Sequence, residues 1–509
     1  MGAVPFTQED WLREQGVKTE EPGNRTALNL RAPLGKFATQ HLNDIPSMQE
    51  VEEIVPQLKA AYTFLSNADG LDKTVRIDLL TVVTEVAETI LKRDDLGQET
   101  EVTRLTRTIL LLGAHEEGAV SEGADDSFAQ PAWGATPEIE SAQGLMRYVW
   151  TWGTNDKEVF STVEKLSASR SPAVRFQIAS SLLGIYKSSP DTFWPFAQRM
   201  LAAEKSTGVL VALFRSIGHP HLQKNAGSRV VALFSSRWKQ GFPTRRQEDT
   251  VEVFLHVISE LAIVFDEPAV TPLLTEIINI EWQRSDFLSQ LASSVALYAC
   301  HGLNANSETN SAIRKRARDI LMHLIPRVQA GLQEVLTSKT GEDWQKIFNE
   351  LLKAIDNIVF RIYLTAGTNP QLTNSEQGQL SPAVLQDFYT EIRPVLQMML
   401  SNETAPLRHL GPSTAQHLME LFTQLLDFDP VGVVDLAAQL CGMNLFGYQF
   451  DQQAISAMAT FVEKFLADQK QYLSQPVVAT KLGQILDLFI DAGWPQASRI
   501  LANLDKAMA

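Results

Sequence analysis

The residues able to carry chemistry are few in this sequence, and their spacing argues against most of it. His219 and His221, in Gly218-His219-Pro220-His221, are the only close histidine pair. Alternate spacing chelates a metal when both rings point one way, but no third ligand such as Cys stands near and no HExxH pattern exists, so a turn between helices is the expectation. His115-Glu116-Glu117 has no second histidine at helical spacing. Lys339-Thr340-Gly341 and Ser236-Arg237-Trp238-Lys239 match two elements of a serine-acylating set, yet its Ser-Asp-Asn element is missing and the order is wrong. Gly341 reads as the end of a helix. There is no glycine-rich phosphate loop with its lysine, no dinucleotide fingerprint after a strand, and no G-x-S-x-G elbow. Cys300 and Cys441, the two cysteines, lie in apolar helical contexts and read as small core residues. No catalytic residue, metal ligand or cofactor site is assigned, and the expectation is a protein that is not an enzyme.

Charge is the informative chemistry. The 509 residues carry a formal net charge of −16. That charge is segregated: residues 1–163 are net −13, residues 164–247 net +10 and residues 248–509 net −13. Between Pro195 and Gln247 stand nine basic residues against one acid, Glu204. Arg215, Lys224, Arg229, Arg237, Lys239, Arg245 and Arg246 gather around Trp238 and Gly241-Phe242-Pro243. These residues, Trp238 included, are the candidate partner-binding set. They suit a protein with an acidic surface; a nucleic-acid backbone is the alternative, disfavoured by the overall negative charge. A second cluster, Arg314, Lys315, Arg316 and Arg318, is expected to lie on a solvated helix face opposite an apolar stripe.

The elements that must position these residues are helices. Val51, Ile54, Val55, Leu58 and Tyr62 recur at the spacing of one helix face, as do Val75, Leu79, Val82, Val86 and Ile90. The pattern repeats at Val174-Ile178-Leu182-Ile185, Ile313-Ala317-Ile320-Leu324, Leu418-Leu421-Phe422-Leu425 and Ile455-Met458-Val462-Phe465. Each stripe buries one face only, so each helix needs neighbours to offset the entropy of ordering it. Ser171-Pro172, Ser189-Pro190, Ser381-Pro382 and Asp429-Pro430 place a cap residue before a Pro at the first helical position, where the missing N–H costs no helical bond. Strand alternation around tight hairpins is absent. Roughly twenty helical segments, paired, give a repeat near 40–47 residues.

The reading is therefore an all-α chain built as an α-solenoid of antiparallel helix pairs. Residues 1–46 are expected to be extended or partly ordered, 47–114 an N-terminal helical unit, 115–136 an acidic loop and 137–509 a helical repeat array. Residues 303–310 and 367–381 read as polar surface loops.

Ser171-Pro172-Ala173-Val174-Arg175-Phe176-Gln177-Ile178-Ala179, Asp72-Lys73-Thr74-Val75-Arg76 and Ala312-Ile313-Arg314-Lys315-Arg316-Ala317 resemble the second-helix signature of HEAT repeats. The resemblance implies that the apolar member of each Val/Ile-Arg pair packs inward, and that the Arg with a preceding Asp ties adjacent repeats. That Asp is present before Arg76 and missing before Arg175, where Ser171 stands. Pro137-Glu138-Ile139-Glu140-Ser141-Ala142-Gln143-Gly144-Leu145 and Gly493-Trp494-Pro495-Gln496-Ala497 resemble segments in the C-terminal helical arms of large bacterial ATP-binding proteins, which implies a scaffold arm in a multi-protein machine. No run of about 18 apolar residues is present and the N-terminus lacks a secretory h-region, so a membrane partner is not expected and residence is expected to be cytoplasmic. The functional expectation is a non-enzymatic protein-interaction scaffold, a common use of solenoid surfaces.

Overall fold

The computed structural model describes residues 8–67, 71–116, 135–243, 247–303, 307–338, 343–367, 380–400, 411–442 and 452–491. Among the described residues there are 22 α-helices and no strand. The chain divides into two compact units, residues 1–254 and 255–509, with the division inside α13 (Gln247–Ile263).

In the first unit, one layer consists of α2 (Pro22–Gln40), α4 (Lys73–Ile90), α6 (Pro137–Trp152), the short pair α8 (Pro172–Ser180) and α9 (Leu183–Ser188), and α11 (Thr207–Ile217). The second layer holds α3 (Met48–Asn67), α5 (Glu101–Gly113), α7 (Lys157–Leu166), α10 (Pro190–Ala203) and α12 (Pro220–Gln240). Most helices pack on the next in sequence and on a neighbour in their own layer, which is the contact pattern of stacked helix pairs, an α-solenoid. The first layer is the more closely packed: α4 buries eleven of its residues between α2 and α6. At Gly113, a Cβ would come within 2.4 Å of Ser141 Oγ, so the bare α-carbon lets α5 close on α6.

Residues 255–509 repeat the scheme. α15 (Ser285–Ala299), α17 (Trp344–Thr365), α19 (Pro412–Leu425) and α21 (Gln452–Asp468) form one layer. α16 (Glu308–Ser338), α18 (Pro382–Leu400), α20 (Pro430–Gly442) and α22 (Pro476–Asp491) form the other. α14 (Thr271–Ile278), which follows a 3-10 turn at Pro268–Val270, packs more lightly on α15 and α16.

The Pro-marked boundaries hold: α8, α10, α18 and α20 begin at Pro172, Pro190, Pro382 and Pro430. Asp429 Oδ1 accepts from Gly432 N at 2.9 Å, and Ser381 Oγ accepts from Val384 N at 3.4 Å. Ser171 caps by backbone position alone.

The expectation for residues 1–46 is corrected. Residues 8–46 carry α1 (Gln8–Glu14) and the 19-residue α2, and α2 belongs to the same layer as α4. Asn24, Ala27, Leu34, Phe37 and Ala38 form its buried face, small or polar in three of five positions, so the stripe is faint. Pro22 is the first residue of that helix. Residues 117–134, most of the expected acidic loop, lie outside the described residues, as do Lys339-Thr340-Gly341 and Gly493-Trp494-Pro495.

Candidate partner-binding surface

The candidate basic residues separate into a buried and an exposed group. Arg237 is 6% exposed and hangs α12 on the end of α10: its Nη1 donates to Leu201 O and to Glu204 O, both at 3.1 Å. Those carbonyls end a helix and lack intrahelical donors, which the guanidinium supplies. Burial lowers the Arg237 pKa, opposed only by the Glu204 charge. Trp238 is equally buried and stacks on Phe254 at 5.9 Å, in a cluster with Phe214, Phe234 and Phe242. Neither residue belongs to a binding face, because the α12 stripe that carries them points into the core. Arg245 and Arg246 lie outside the described residues.

Arg215, Lys224, Arg229 and Lys239 are exposed. Arg229 lies over the Trp194 ring at 5.7 Å. None of the four has a carboxylate partner among the described residues, and α11 and α12 contain no acid. Arg229 and Lys239 share one exposed stripe of α12 with Ala232, Ser236 and Gln240, about 15 Å apart at the helical rise. Lys224 precedes the kink at Ala226 (φ −148°, ψ 35°). Arg215 stands on α11, in the other layer. The structure thus joins Arg229 to Lys239 and leaves Arg215 apart.

The remaining basic residues of this stretch are largely used internally. Arg175 grips Glu204 with two bonds of 2.8 Å, and donates from Nη1 to Ser169 O at 2.7 Å and Arg170 O at 3.2 Å. Glu204, 4% exposed, also accepts from the N–H groups of Lys205 and Ser206. Arg199 pairs with Glu164 at 2.6 Å.

The Arg175 arrangement recurs. Arg76 donates to Leu65 O at 2.9 Å and lies 3.4 Å from Glu116. Arg314 donates to His301 O at 3.2 Å and holds Glu391 through bonds of 2.8 and 3.0 Å. In all three the arginine ties the end of the preceding helix or the connection after it to an acid supplied further along the chain. The apolar neighbours Val75, Val174 and Ile313 are buried as the resemblance implies. The Asp part is corrected: Asp72 accepts from the N–H groups of Thr74 and Val75, as a helix cap, and does not pair with Arg76. The second basic cluster is corrected too. Arg314 is 3% exposed, Arg318 also pairs with Glu391, and Arg316 donates to Ile263 O at 2.7 Å, leaving only Lys315 on a solvated face.

An unanticipated feature lies between α4 and α6. Glu88, 3% exposed, accepts from Gln143 Nε2 at 2.9 Å and from Arg147 Nε. Glu140 stands nearby with its pKa pushed up to about 8, first by burial and then by the charges of Glu85 and Glu88, against the opposing pull of Lys92. Burial and Glu88 raise Glu85 as well. Carboxylates in proximity resist joint ionisation. Their chain positions, 85, 88 and 140, give no hint of it.

No arrangement of a nucleophile and base emerges around the best-placed histidine. His417 stacks on Tyr363 at 4.2 Å, but the Thr414 hydroxyl donates to Asp356 at 2.5 Å and the Tyr363 hydroxyl to Glu420 at 2.7 Å, so neither hydroxyl offers its proton to the ring. Burial pushes the Cys300 thiol up to about 11 and Cys441 to about 12, which keeps both protonated and poor nucleophiles. Among the described residues no group of three His, Cys, Asp or Glu is placed to hold a metal ion, and no helix is long and apolar enough to cross a membrane. His219 lies in the connection before α12 as its N-cap, where its Nδ1 accepts from His221 N at 3.2 Å, whereas His221, expected in the same turn, already belongs to the first turn of α12.

No family model matches the sequence, and neither does any curated protein. Known structures give distant likenesses. A homology model of the full-length AP-3 complex in an intermediate open conformation is 12% identical, with 97% of each chain covered and a TM-score of 0.25. Kap121p bound to Nup53p is 14% identical over 94% of this chain and 55% of that one, with a TM-score of 0.30. A circular tandem repeat protein is 13% identical, over 95% of this chain and 96% of that one, at 0.25. The α-solenoid assignment rests on the helix stacking itself. None of the three is a bacterial ATP-binding protein, and the likeness to the arms of such proteins goes unsupported.

Proposed function

We propose that the chain is a non-catalytic, protein-binding helical scaffold that receives an acidic partner on the exposed cations of α11 and α12. One observation carries this reading: Arg215, Lys224, Arg229 and Lys239 face solvent without a carboxylate partner, in a stretch where Arg175, Arg199 and Arg237 are used internally. Uncompensated surface charge steers an oppositely charged partner and sets its orientation. A place in a larger multi-protein machine, and cytoplasmic residence, belong to the same reading.

The test is a charge-reversed variant carrying Arg215→Glu, Lys224→Glu, Arg229→Glu and Lys239→Glu. Wild type and variant are compared in affinity capture from the native host, with circular dichroism as the folding control. The reading expects partners with acidic surfaces that are lost both in the variant and at about 0.5 M salt, where screening shortens to a few ångströms. Identical partner sets for the two proteins refute it. Labelled duplex DNA is titrated in parallel: binding that weakens by about 0.9 log units per neutralised phosphate for each tenfold rise in salt replaces this reading with the nucleic-acid one.

A further inference from the structure

Residues 255–509 contain a groove of about 520 Å³ between the end of α13, the 3-10 turn at Pro268–Val270, α14 and α16. That volume lies within the range of small-molecule sites. Its apolar lining comes from Ala262, Val270, Leu274, Ile278 and Ile320. Arg316, Asp319, Ile320, His323 and Arg327 reach it from one stripe of α16, at helical intervals of three and four residues.

The charges around this groove are unequally satisfied. Asp266 pairs with Arg316 at 3.5 Å, Asp319 with Lys315 at 2.9 Å, and Glu267 accepts from Ala269 N at 3.1 Å. Asp266 and Asp319 therefore have cationic partners, and Glu267 has a backbone N–H. Arg327 has no ionic partner: among the described residues no carboxylate pairs with it, and its one hydrogen bond runs from Nη2 to Ile280 O at 3.2 Å. Its Nε is buried without an acceptor. The guanidinium sits 3.5 Å over the Trp282 ring, which fixes its plane. Trp282 can lie there because α16 has a bare α-carbon at Gly331, where a Cβ would meet the ring at 2.7 Å. Burial pulls the Arg327 pKa down, and only Glu334 opposes it. One turn away, His323 uses Nδ1 to donate to Asp319 O at 2.7 Å, which leaves Nε2 without a partner among the described residues.

A held, uncompensated cation at one end of an apolar groove selects an amphipathic anion. We propose that this groove binds a small carboxylate with an apolar tail, a fatty-acid-like molecule of roughly ten to twelve carbons, with its carboxylate on Arg327 and its tail along Leu274, Ile278 and Ile320. The acids Asp266 and Glu267 at the other end repel a second anion, so the ligand has one polar head. A charged hydrogen bond made in a partly apolar site is stronger than one in water, and it gives the head group its selectivity.

The experiment is isothermal titration of the full chain with dodecanoate, held below its micelle concentration, and with dodecylamine as the matched cation. The groove predicts saturable one-to-one binding of dodecanoate, at least about tenfold tighter than dodecylamine, because a charge-assisted hydrogen bond contributes about that factor. Arg327→Gln should lose about tenfold in dodecanoate affinity and erase the preference over the amine. Thr275→Trp alters an exposed lining residue, so its fold is expected to survive; it should block both ligands by filling the groove. Equal affinity for the two ligands, an Arg327→Gln protein that binds dodecanoate as well as wild type, or a Thr275→Trp protein with unchanged binding each overturns the proposal. So does failure of dodecanoate to bind while an acidic amphipathic peptide does, an outcome that assigns the groove to a protein partner.

Discussion

Replacing Glu140 with Gln should stabilise the first unit, and the gain should depend on pH. Glu140 is held protonated up to about pH 8 in the fold, against about 4.5 for an ordinary glutamate. The cause is burial, aggravated by Glu85 and Glu88 across from it on α4; Lys92 opposes it from the end of the same helix, and Arg147 on α6 is already bonded to Glu88. The folded pKa lies above the unfolded one, so the folded state holds the extra proton between about pH 4.5 and pH 8. Stability from this group is complete below the unfolded value and drains away as pH rises through the folded one. At about 1.4 kcal/mol per pH unit, that window amounts to a ceiling of about 5 kcal/mol. Water reaching this half-buried site lowers the realised effect to about 2–3 kcal/mol. Glutamine keeps the shape and cannot ionise. Denaturant unfolding followed by circular dichroism at about pH 5 and about pH 9, with hydrogen exchange read on α4 and α6, measures both terms. The variant should gain under about 1 kcal/mol at the lower pH and about 2–3 kcal/mol at the higher. A gain that is the same at both values, or a loss at the higher one, refutes the raised Glu140 pKa.

Two further outcomes concern the arginine ties and the core. Arg175→Ala should destabilise the first unit by about 3–5 kcal/mol in the same unfolding assay, because it leaves Glu204 buried without its partner; Lys165→Ala on the surface should stay within about 0.5 kcal/mol. Phe254→Ala should cost about 3–5 kcal/mol and alter near-ultraviolet dichroism, since Phe254 is fully buried against Phe214, Phe234 and Trp238.

Much of the architecture is written locally. Amphipathic stripes and Ser-Pro or Asp-Pro starts need only neighbouring residues to be read, and the helices follow them. The three Val/Ile-Arg pairs also announce a buried apolar residue and a tethering guanidinium. Their carboxylate partners do not: Glu204 and Glu391 lie 29 and 77 residues beyond the arginines they hold, distances set only by how the pairs stack. The basic segment misleads for the same reason. Arg237 and Trp238 look like surface chemistry in sequence, yet the apolar stripe of α12 turns them inward, where Arg237 finds the carbonyls at the end of α10. Helix α2 escapes notice because its buried face is made of small and polar side chains. The groove at Arg327 depends on a glycine, a tryptophan and an arginine from two segments, and no local pattern connects them.

The arginine ties have a thermal consequence. Each binds a helix pair to a nearby part of the stack and reaches no further, so heat breaks the array in short stretches rather than as one block. Melting of either unit should spread over a broad interval, with a van't Hoff enthalpy below the calorimetric one. A lesion at one tie then loosens its neighbours while distant pairs stay closed, and a protein of this build can lose an end without losing the whole.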